Sequence, residues 1–344
     1  MTHRYMFKND YSEGAHPKVL EYLQKTNFEQ QEGYGLDEYS EQARDLLRQI
    51  LKMPYVDIHF FTGGTQANLT FIGSALRPHE AVIAPYTAHI NVHEAGAIEA
   101  TGHKIFQLDV RDGKITAAQV EKAVEYHQDE HFVKPKMVFI SNATELGTVY
   151  TKQELIDLYR TCKRYNLYLY IDGARLANAL VAENNDLTLA ELAQYTDAFY
   201  LGGTKNGALL GEALVITNPN LSEDFRYHLK QRGALLAKGR VVGLQFLALL
   251  EDSLYLQLAR HANAMAQKMR KAIESKGYGF LSTSFTNQIF PILPMPVIER
   301  LYEKFDFYIW EKLDERNAVI RLVTSWATPE TVVDEFIEYF NQIA

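Results

Sequence analysis

Between residues 56 and 217, short apolar runs alternate with helical stretches, and this alternation limits the fold more than any other feature. The runs are 56–61, 81–84, 103–108, 136–141, 167–171, 198–201 and 212–217. Helical patterns lie between them at about 66–76, 92–101, 117–127, 152–165 and 187–195. Several runs are apolar at consecutive rather than alternate positions, so both strand faces are buried. Strands of that kind, separated by helices, form a mainly parallel sheet covered on both sides. The expectation is an α/β protein with a mainly parallel seven-stranded sheet.

The flanks add to this frame. Residues 1–15 read as an irregular N-terminal arm, with turn chemistry in Asn9-Asp-Tyr-Ser-Glu-Gly14. His16-Pro17 opens a helix. Residues 38–52 form an amphipathic helix with Ala43, Leu46, Leu47, Ile50 and Leu51 on one face. A helical stretch runs from Leu221 to about Ser275 with a break near 230–239, and strands are expected at 287–293, 307–310 and 318–323. Helices at 296–304 and 331–343 complete the chain. The predicted division is a large α/β domain over 16–250 and a smaller α+β domain over 251–344, joined by the long helix rather than a flexible linker.

Composition narrows the partners. The net charge of the 344-residue chain is -8 and its basic residues are dispersed, which argues against a nucleic-acid surface. The apolar stretch 241–250 is too short to span a bilayer and reads as a buried helix. Cys162 is the only cysteine, so there is no disulfide framework. With no apolar signal core at the N-terminus, a reducing cytoplasm is expected.

Three strand ends carry candidate chemistry. In Tyr200-Leu-Gly-Gly-Thr-Lys-Asn-Gly207, Lys205 sits in a Gly-rich turn, where desolvation would make its amine a nucleophile toward a carbonyl. The same pattern also fits a surface lysine in a tight turn. In Tyr170-Ile-Asp-Gly-Ala-Arg175, Asp172 ends an apolar strand, where it can pair with a protonated ring nitrogen, while Arg175 can fork a carboxylate. The alternative is that Asp172 caps the next helix and pairs with Arg175. Gly63-Gly-Thr-Gln66 is a phosphate cradle by its glycines and following helix, though without the lysine or spacing of a P-loop. It also fits a plain strand-to-helix turn. An amine, an acid and a phosphate cradle together match pyridoxal phosphate. No metal site is read.

At this point the chain resembles the threonine aldolase/β-eliminating lyase group of fold-type-I pyridoxal phosphate enzymes, whose architecture is that of aspartate aminotransferase. The likeness runs from Asn9-Asp10 to Ile320-Arg-Leu-Val-Thr324 and is most specific at Tyr34-Gly35, Gly64-Thr65, Asn68, His89, 171–175, Lys205 and 321–324. It implies that Lys205 binds the cofactor covalently, Asp172 holds its ring nitrogen and His89 stacks on the ring. Gly64, Thr65 and Thr204 would bind the phosphate, and Arg240 would reach the phosphate of a neighbouring subunit. Arg175 and Arg321 would grip the substrate carboxylate. Tyr34 would come from a neighbour in a homodimer or homotetramer with shared sites. Two positions near the substrate depart from the family: Asn9 replaces a serine, and Thr144, in Ser141-Asn-Ala-Thr-Glu145, replaces a histidine.

The resemblance implies cleavage of a β-hydroxy-α-amino acid, such as threonine or allo-threonine, to glycine and an aldehyde. His89, His93, Glu145 and a water are the candidate bases. β-Elimination, transamination or racemisation on the same cofactor are the competing reactions, and a non-catalytic amino-acid-binding homologue is the competitor from outside catalysis.

Overall fold

The computed structural model describes residues 4–344; residues 1–3 of the expected arm lie outside that range. The arm is not wholly irregular. Strand β1 (Tyr5–Met6) pairs in parallel with Phe305–Asp306, and Phe7 beyond it is fully buried. Helix α1 (Pro17–Lys25) starts with Pro17 in its first turn, and His16 Nδ1 accepts from the Lys18 N–H. Helix α2 (Glu38–Leu51) is capped by Asp37 and buries Ala43, Leu47 and Leu51.

The alternating segment then follows as β2 (Asp57–Phe61), α3 (Gly64–Ala75), β3 (Glu80–Pro85), α4 (His89–Val92), β4 (Lys104–Leu108), α5 (Ala117–Tyr126) and β5 (Lys134–Ser141). It continues as α6 (Lys152–Arg164), β6 (Tyr168–Asp172), α7 (Leu176–Leu180), α8 (Leu189–Gln194), β7 (Ala198–Gly202) and β8 (Glu212–Ile216). Thr116, Thr151 and Thr188 each begin a helix through a reciprocal capping box.

These strands form a seven-stranded sheet in the order β2-β8-β7-β6-β5-β3-β4. The pairs β3–β4, β3–β5, β5–β6 and β6–β7 are parallel, while β8 runs antiparallel to both of its neighbours. The connection from β7 to β8 is too short for the crossover that a parallel pair needs, so the chain turns back as a hairpin. Consecutive residues of the inner strands face opposite ways. Val138, Ile140, Leu169, Ile171, Phe199 and Leu201 enter one apolar layer, and Met137, Phe139, Tyr170, Ala198 and Tyr200 the other. That double burial explains the uninterrupted apolar runs.

Three sequence expectations fail here. The helix expected over 92–101 is absent: α4 ends at Val92, and Ala95 and Gly96 take left-handed φ angles of 51° and 74°. Helix α7 was not foreseen. The stretch after Leu221 holds α9 (Phe225–Gln231), α10 (Arg240–Leu250) and α11 (Leu254–Ser275), so the long helix is two helices. By length and apolar composition the run Arg240–Ser275 meets the requirement for crossing a membrane. Asp252 and Ser253, at φ 55° and 58°, break it, and α10 is buried in the core from Val242 to Leu250.

The remaining elements are β9 (Gln288–Ile289), β10 (Ile292–Pro294), α12 (Met295–Leu301), β11 (Phe305–Asp306), β12 (Tyr308–Lys312), β13 (Asn317–Val323) and α13 (Glu330–Ile343). Strand β13 pairs antiparallel with β9, β10 and β12. The strand expected over 307–310 is β12, which pairs with β13; the additional short strand β11 precedes the buried Phe307 and pairs with the arm. Met265, Met269, Ile298, Ile320 and Phe336 share a core with Phe7 of the arm.

Candidate active site

The carboxyl ends of the strands converge at one edge of the large sheet. Ser141 lies beside Asp172 in register, and Glu212 pairs with both Gly202 and Phe61. Ligands of open α/β sheets bind at such an edge.

Asp172 is buried and accepts three hydrogen bonds, which leaves Oδ2 able to accept one more. Its Oδ1 accepts from the Ala174 N–H at 3.0 Å and from the Tyr200 hydroxyl, and its Oδ2 accepts from Asn68 Nδ2 at 3.1 Å. Asn68 extends the chain of contacts. Its Nδ2 also donates to Glu94 Oε1 at 2.8 Å, and its Oδ1 accepts from the Tyr170 hydroxyl at 3.0 Å. Glu94 in turn holds His89 Nδ1 at 2.8 Å. The imidazole is thus oriented by a carboxylate whose side chain has no exposure and whose Oε2 has no partner among the described residues. The His89 backbone N–H donates to Glu145 Oε1 at 3.1 Å, which also accepts from the Ser141 hydroxyl at 2.7 Å. Burial pushes the Glu145 carboxyl above the usual carboxylate range, against the Ser141 bond and with help from the Asp172 charge. Burial and then the His89, Arg321 and Lys205 charges lower His93.

Lys205 follows β7 in a loop closed on itself. The N–H groups of Gly203 and Thr204 both donate to the Gly211 carbonyl, at 2.9 and 3.1 Å. Burial, followed by the positive charge of Arg175, lowers the proton affinity of the Lys205 amine, while Asp10, Asp172 and Glu212 oppose the shift. Lys205 is half-buried among charged groups, which tells against a plain surface lysine. Gly173 allows the adjoining turn: a Cβ there would lie 1.7 Å from the Tyr200 carbonyl oxygen.

The alternative reading, in which Arg175 pairs with Asp172, does not hold. Arg175 forks Asp10 of the arm instead, with Nε to Oδ2 at 2.7 Å and Nη2 to Oδ1 at 2.9 Å. Asn287 Nδ2 adds a contact to Oδ2 at 2.9 Å. Burial disfavours the Asp10 charge, but the Arg175 and Lys205 charges prevail and hold its carboxyl below the usual range. Arg175 therefore reaches the site already neutralised. Arg321 does not: its Nε and Nη2 reach Gln288 Oε1 at 3.2 and 2.6 Å, an uncharged partner. Burial, then the nearby Arg175 charge, bring Arg321 down to about 10. A substrate carboxylate would relieve that cation.

Other predicted residues fall differently. Gly63 caps α3 without a side chain, so the first-turn N–H groups at Gly64 and Thr65 have no side-chain acceptor at the cap. A Cβ on Gly64 would stand 2.8 Å from the Tyr200 hydroxyl, so the glycine is needed for close approach. Thr204 is turned inward, accepting from the Gly211 N–H at 3.0 Å and hydrogen-bonding the Glu212 carboxyl. Those two bonds occupy the hydroxyl expected at the phosphate. Thr144 is also turned away. It is 1% exposed, with its hydroxyl against Thr148 at 2.7 Å, and its neighbour Glu145 meets His89 instead. The Asn9 side-chain oxygen, Oδ1, closes its own turn by accepting from Tyr11 N and Ser12 Oγ. Only its amide nitrogen is left to offer a substrate. Tyr34, at φ 59°, stands 43% exposed with the Lys230 amine 4.9 Å from its ring centroid. Arg240 donates to the carbonyls of Glu29 and Asn27 in its own chain.

Sequence reasoning missed Glu94 and Glu212 and gave Asp10 no role. An acidic residue opening a buried strand, as Glu212 does after Gly211, was the available signal. Nothing local in the sequence marks Glu94.

The sequence profile described as "Beta-eliminating lyase" matches residues 12–294. The chain belongs to the β-eliminating lyase family. Among relatives, it is 34% identical over 335 residues to a low specificity L-threonine aldolase of Pseudomonas sp. (strain NCIMB 10558), covering 96% of this chain and 95% of that one. The corresponding Pseudomonas aeruginosa protein is 32% identical over 330 residues, covering 95% and 94%. A solved threonine aldolase of Leishmania major superposes with a TM-score of 0.97 at 47% identity, over 99% of this chain and 100% of that one. A Thermus thermophilus aspartate aminotransferase, at 14% identity and a TM-score of 0.73 over 99% and 92%, shares the fold. The expected aspartate-aminotransferase architecture is therefore correct. The residues of this β-eliminating lyase family member fit pyridoxal phosphate in kind: a desolvated amine, a buried carboxylate at a strand end and a helix start free of side-chain caps.

Proposed function

We infer that this chain is a lyase that cleaves the Cα–Cβ bond of threonine, allo-threonine or a related β-hydroxy-α-amino acid, giving glycine and an aldehyde. The observation that carries this reading is the full-length likeness to Leishmania major threonine aldolase. Pyridoxal phosphate, when bound, supplies the electron sink for the pair released at Cα. Lys205 would hold it through its amine, Asp172 through the ring nitrogen, and Gly64 and Thr65 through the phosphate, with His89 against the ring.

Arg321 binds the substrate carboxylate, since it brings a positive charge without an anionic partner among the described residues. Arg175 and Asp10 form its fixed neighbour rather than a second clamp. The substrate β-hydroxyl loses its proton to Glu145, the Cα–Cβ bond breaks, and the hydroxyl oxygen becomes the aldehyde carbonyl. A carboxyl held above its usual range is a better-matched base at neutral pH than an ordinary one. It is ionised only above that raised value, so turnover should rise as pH climbs through it. Glu145→Gln is expected to lower kcat by about 10²–10⁴-fold and to remove that acid limb from the pH–rate profile. Loss of activity with the acid limb intact would assign the base elsewhere.

A homodimer or homotetramer in a reducing cytoplasm completes the proposal, with Tyr34 and Arg240 serving the neighbouring subunit's site. Product analysis tests the reaction. Glycine with acetaldehyde from L-threonine or L-allo-threonine supports it, whereas a 2-oxo acid with ammonia moves the assignment to elimination.

A further inference from the structure

Strand β9 is held against the end of β13, with Gln288 paired to Val323 and Ile289 to Leu322. Gln288 is fully buried there. Its side chain reaches back to Arg321, the residue before Leu322, and Oε1 accepts from Nη2 at 2.6 Å and from Nε at 3.2 Å. That oxygen holds the Nε–Nη2 edge of the guanidinium, which leaves Nη1 and the second proton of Nη2 for a ligand. The preceding residue, Asn287, serves the other arginine. Its Nδ2 donates at 2.9 Å to Asp10 Oδ2, on the carboxylate that Arg175 forks.

Two neighbouring amides thus attend two arginines, and the difference between the arginines is charge. Arg175 has the Asp10 carboxylate at 2.7 Å. Arg321 has only the amide oxygen, and no carboxylate among the described residues lies within ion-pair distance of it. The Trp310 ring centroid is 5.6 Å from the guanidinium carbon, and an indole brings no hydrogen-bond acceptor. Gln288 Nε2 is buried and has no partner among the described residues. With Oε1 spent, every polar group these two side chains have left is a donor. A buried donor left unpaired is costly, and a carboxylate oxygen bound beside Arg321 would satisfy it.

We propose that Gln288 is a specificity-determining residue for the substrate carboxylate: its amide holds the Arg321 fork in place, leaves the positive charge uncompensated, and offers Nε2 as a further donor to the same carboxylate. The proposal rests on Arg321 as the group that binds that carboxylate. A glutamate here would have the same shape and the same acceptor, but it would spend the Arg321 charge inside the protein. The neutral amide keeps that charge for the ligand. Selection then falls on amino compounds that carry an anionic group next to the amine, and against their neutral amides.

The test compares the dissociation constants of glycine and glycinamide, which share the amine and differ in the carboxylate. Both are read from the visible absorbance band of the protein loaded with pyridoxal phosphate, without turnover. Gln288→Glu is expected to lower the native preference for glycine by about 10–100-fold, the worth of a hydrogen bond to a charged group. Gln288→Met, which removes the acceptor but adds no charge, should lower it less. A purely structural role predicts the opposite order, because glutamate keeps the acceptor and methionine does not. That opposite order, or a native preference in Gln288→Glu, overturns the proposal. Should Gln288→Glu not fold, a native preference in Gln288→Met overturns it equally. Arg321→Gln separates the two claims. A preference lost there but kept in Gln288→Glu removes the role of Gln288 alone, whereas a preference kept in Arg321→Gln removes Arg321 as the carboxylate's partner.

Discussion

Replacing Lys205 by alanine is expected to abolish the visible absorbance band that the native protein gives with pyridoxal phosphate. It should also lower aldehyde production from L-threonine by roughly 10³-fold or more, as loss of a covalent catalytic group does. The amine is singled out by its surroundings. Burial and the Arg175 charge both lower its proton affinity, which favours the nucleophilic form. The variant should fold, because it removes a charge that burial already disfavours. A change in stability within about 1 kcal/mol is expected. Spectrum, aldehyde assay and urea unfolding separate the outcomes. A band that persists would show that the cofactor is attached elsewhere, and turnover that persists without a band would remove the cofactor from the reaction.

Asp10→Asn is the second large effect. The substitution keeps the shape of the side chain but leaves the Arg175 guanidinium buried without a counter-charge. Removing one partner of a buried pair costs about 3–5 kcal/mol, so the urea midpoint should fall markedly. Because Asp10 titrates below its unfolded value near 3.9, its contribution is fully present above that value. It disappears as pH falls through the lower, folded value. The native protein should therefore lose stability in acid along a limb that the variant lacks. An unchanged urea midpoint would show that Arg175 finds another partner or solvent.

What the sequence made legible follows physical locality. The large sheet could be read because its inner strands are buried on both faces and so consist of unbroken apolar residues. Lys205 and Asp172 could be read because each stands in or beside its own strand-end turn, with glycines that signal close backbone approach. The Asp10–Arg175 pair could not, since its members meet only through the fold. Thr144 illustrates the limit of alignment by motif. Its place in the sequence matches a substrate-facing histidine, yet the loop turns its hydroxyl to Thr148 and presents Glu145 to His89. The false helix over 92–101 had a reasonable apolar pattern. Left-handed Ala95 and Gly96 outweigh it, and the turn they make delivers Glu94 to His89 and Asn68.

The arm also has a place in the order of synthesis. Tyr5 and Met6 leave the ribosome well before Phe305 and Asp306, the residues with which they pair. Asp10 is likewise made before Arg175 and Asn287. The strands from β2 to β8 can associate without any of these contacts. The arm is fixed only when the Phe7 N–H finds the Asp306 carbonyl and the Val323 N–H finds that of Phe7. A chain stopped before residue 317 is therefore expected to form the large sheet, give native-like far-ultraviolet dichroism over that part, and bind no pyridoxal phosphate; binding by such a chain would sink the idea. Until β13 is made, the arm that carries Asp10 lacks its bond from Val323. The growing protein carries a finished sheet and an unfinished centre, and among its last residues to be translated are those that bring its earliest ones into position.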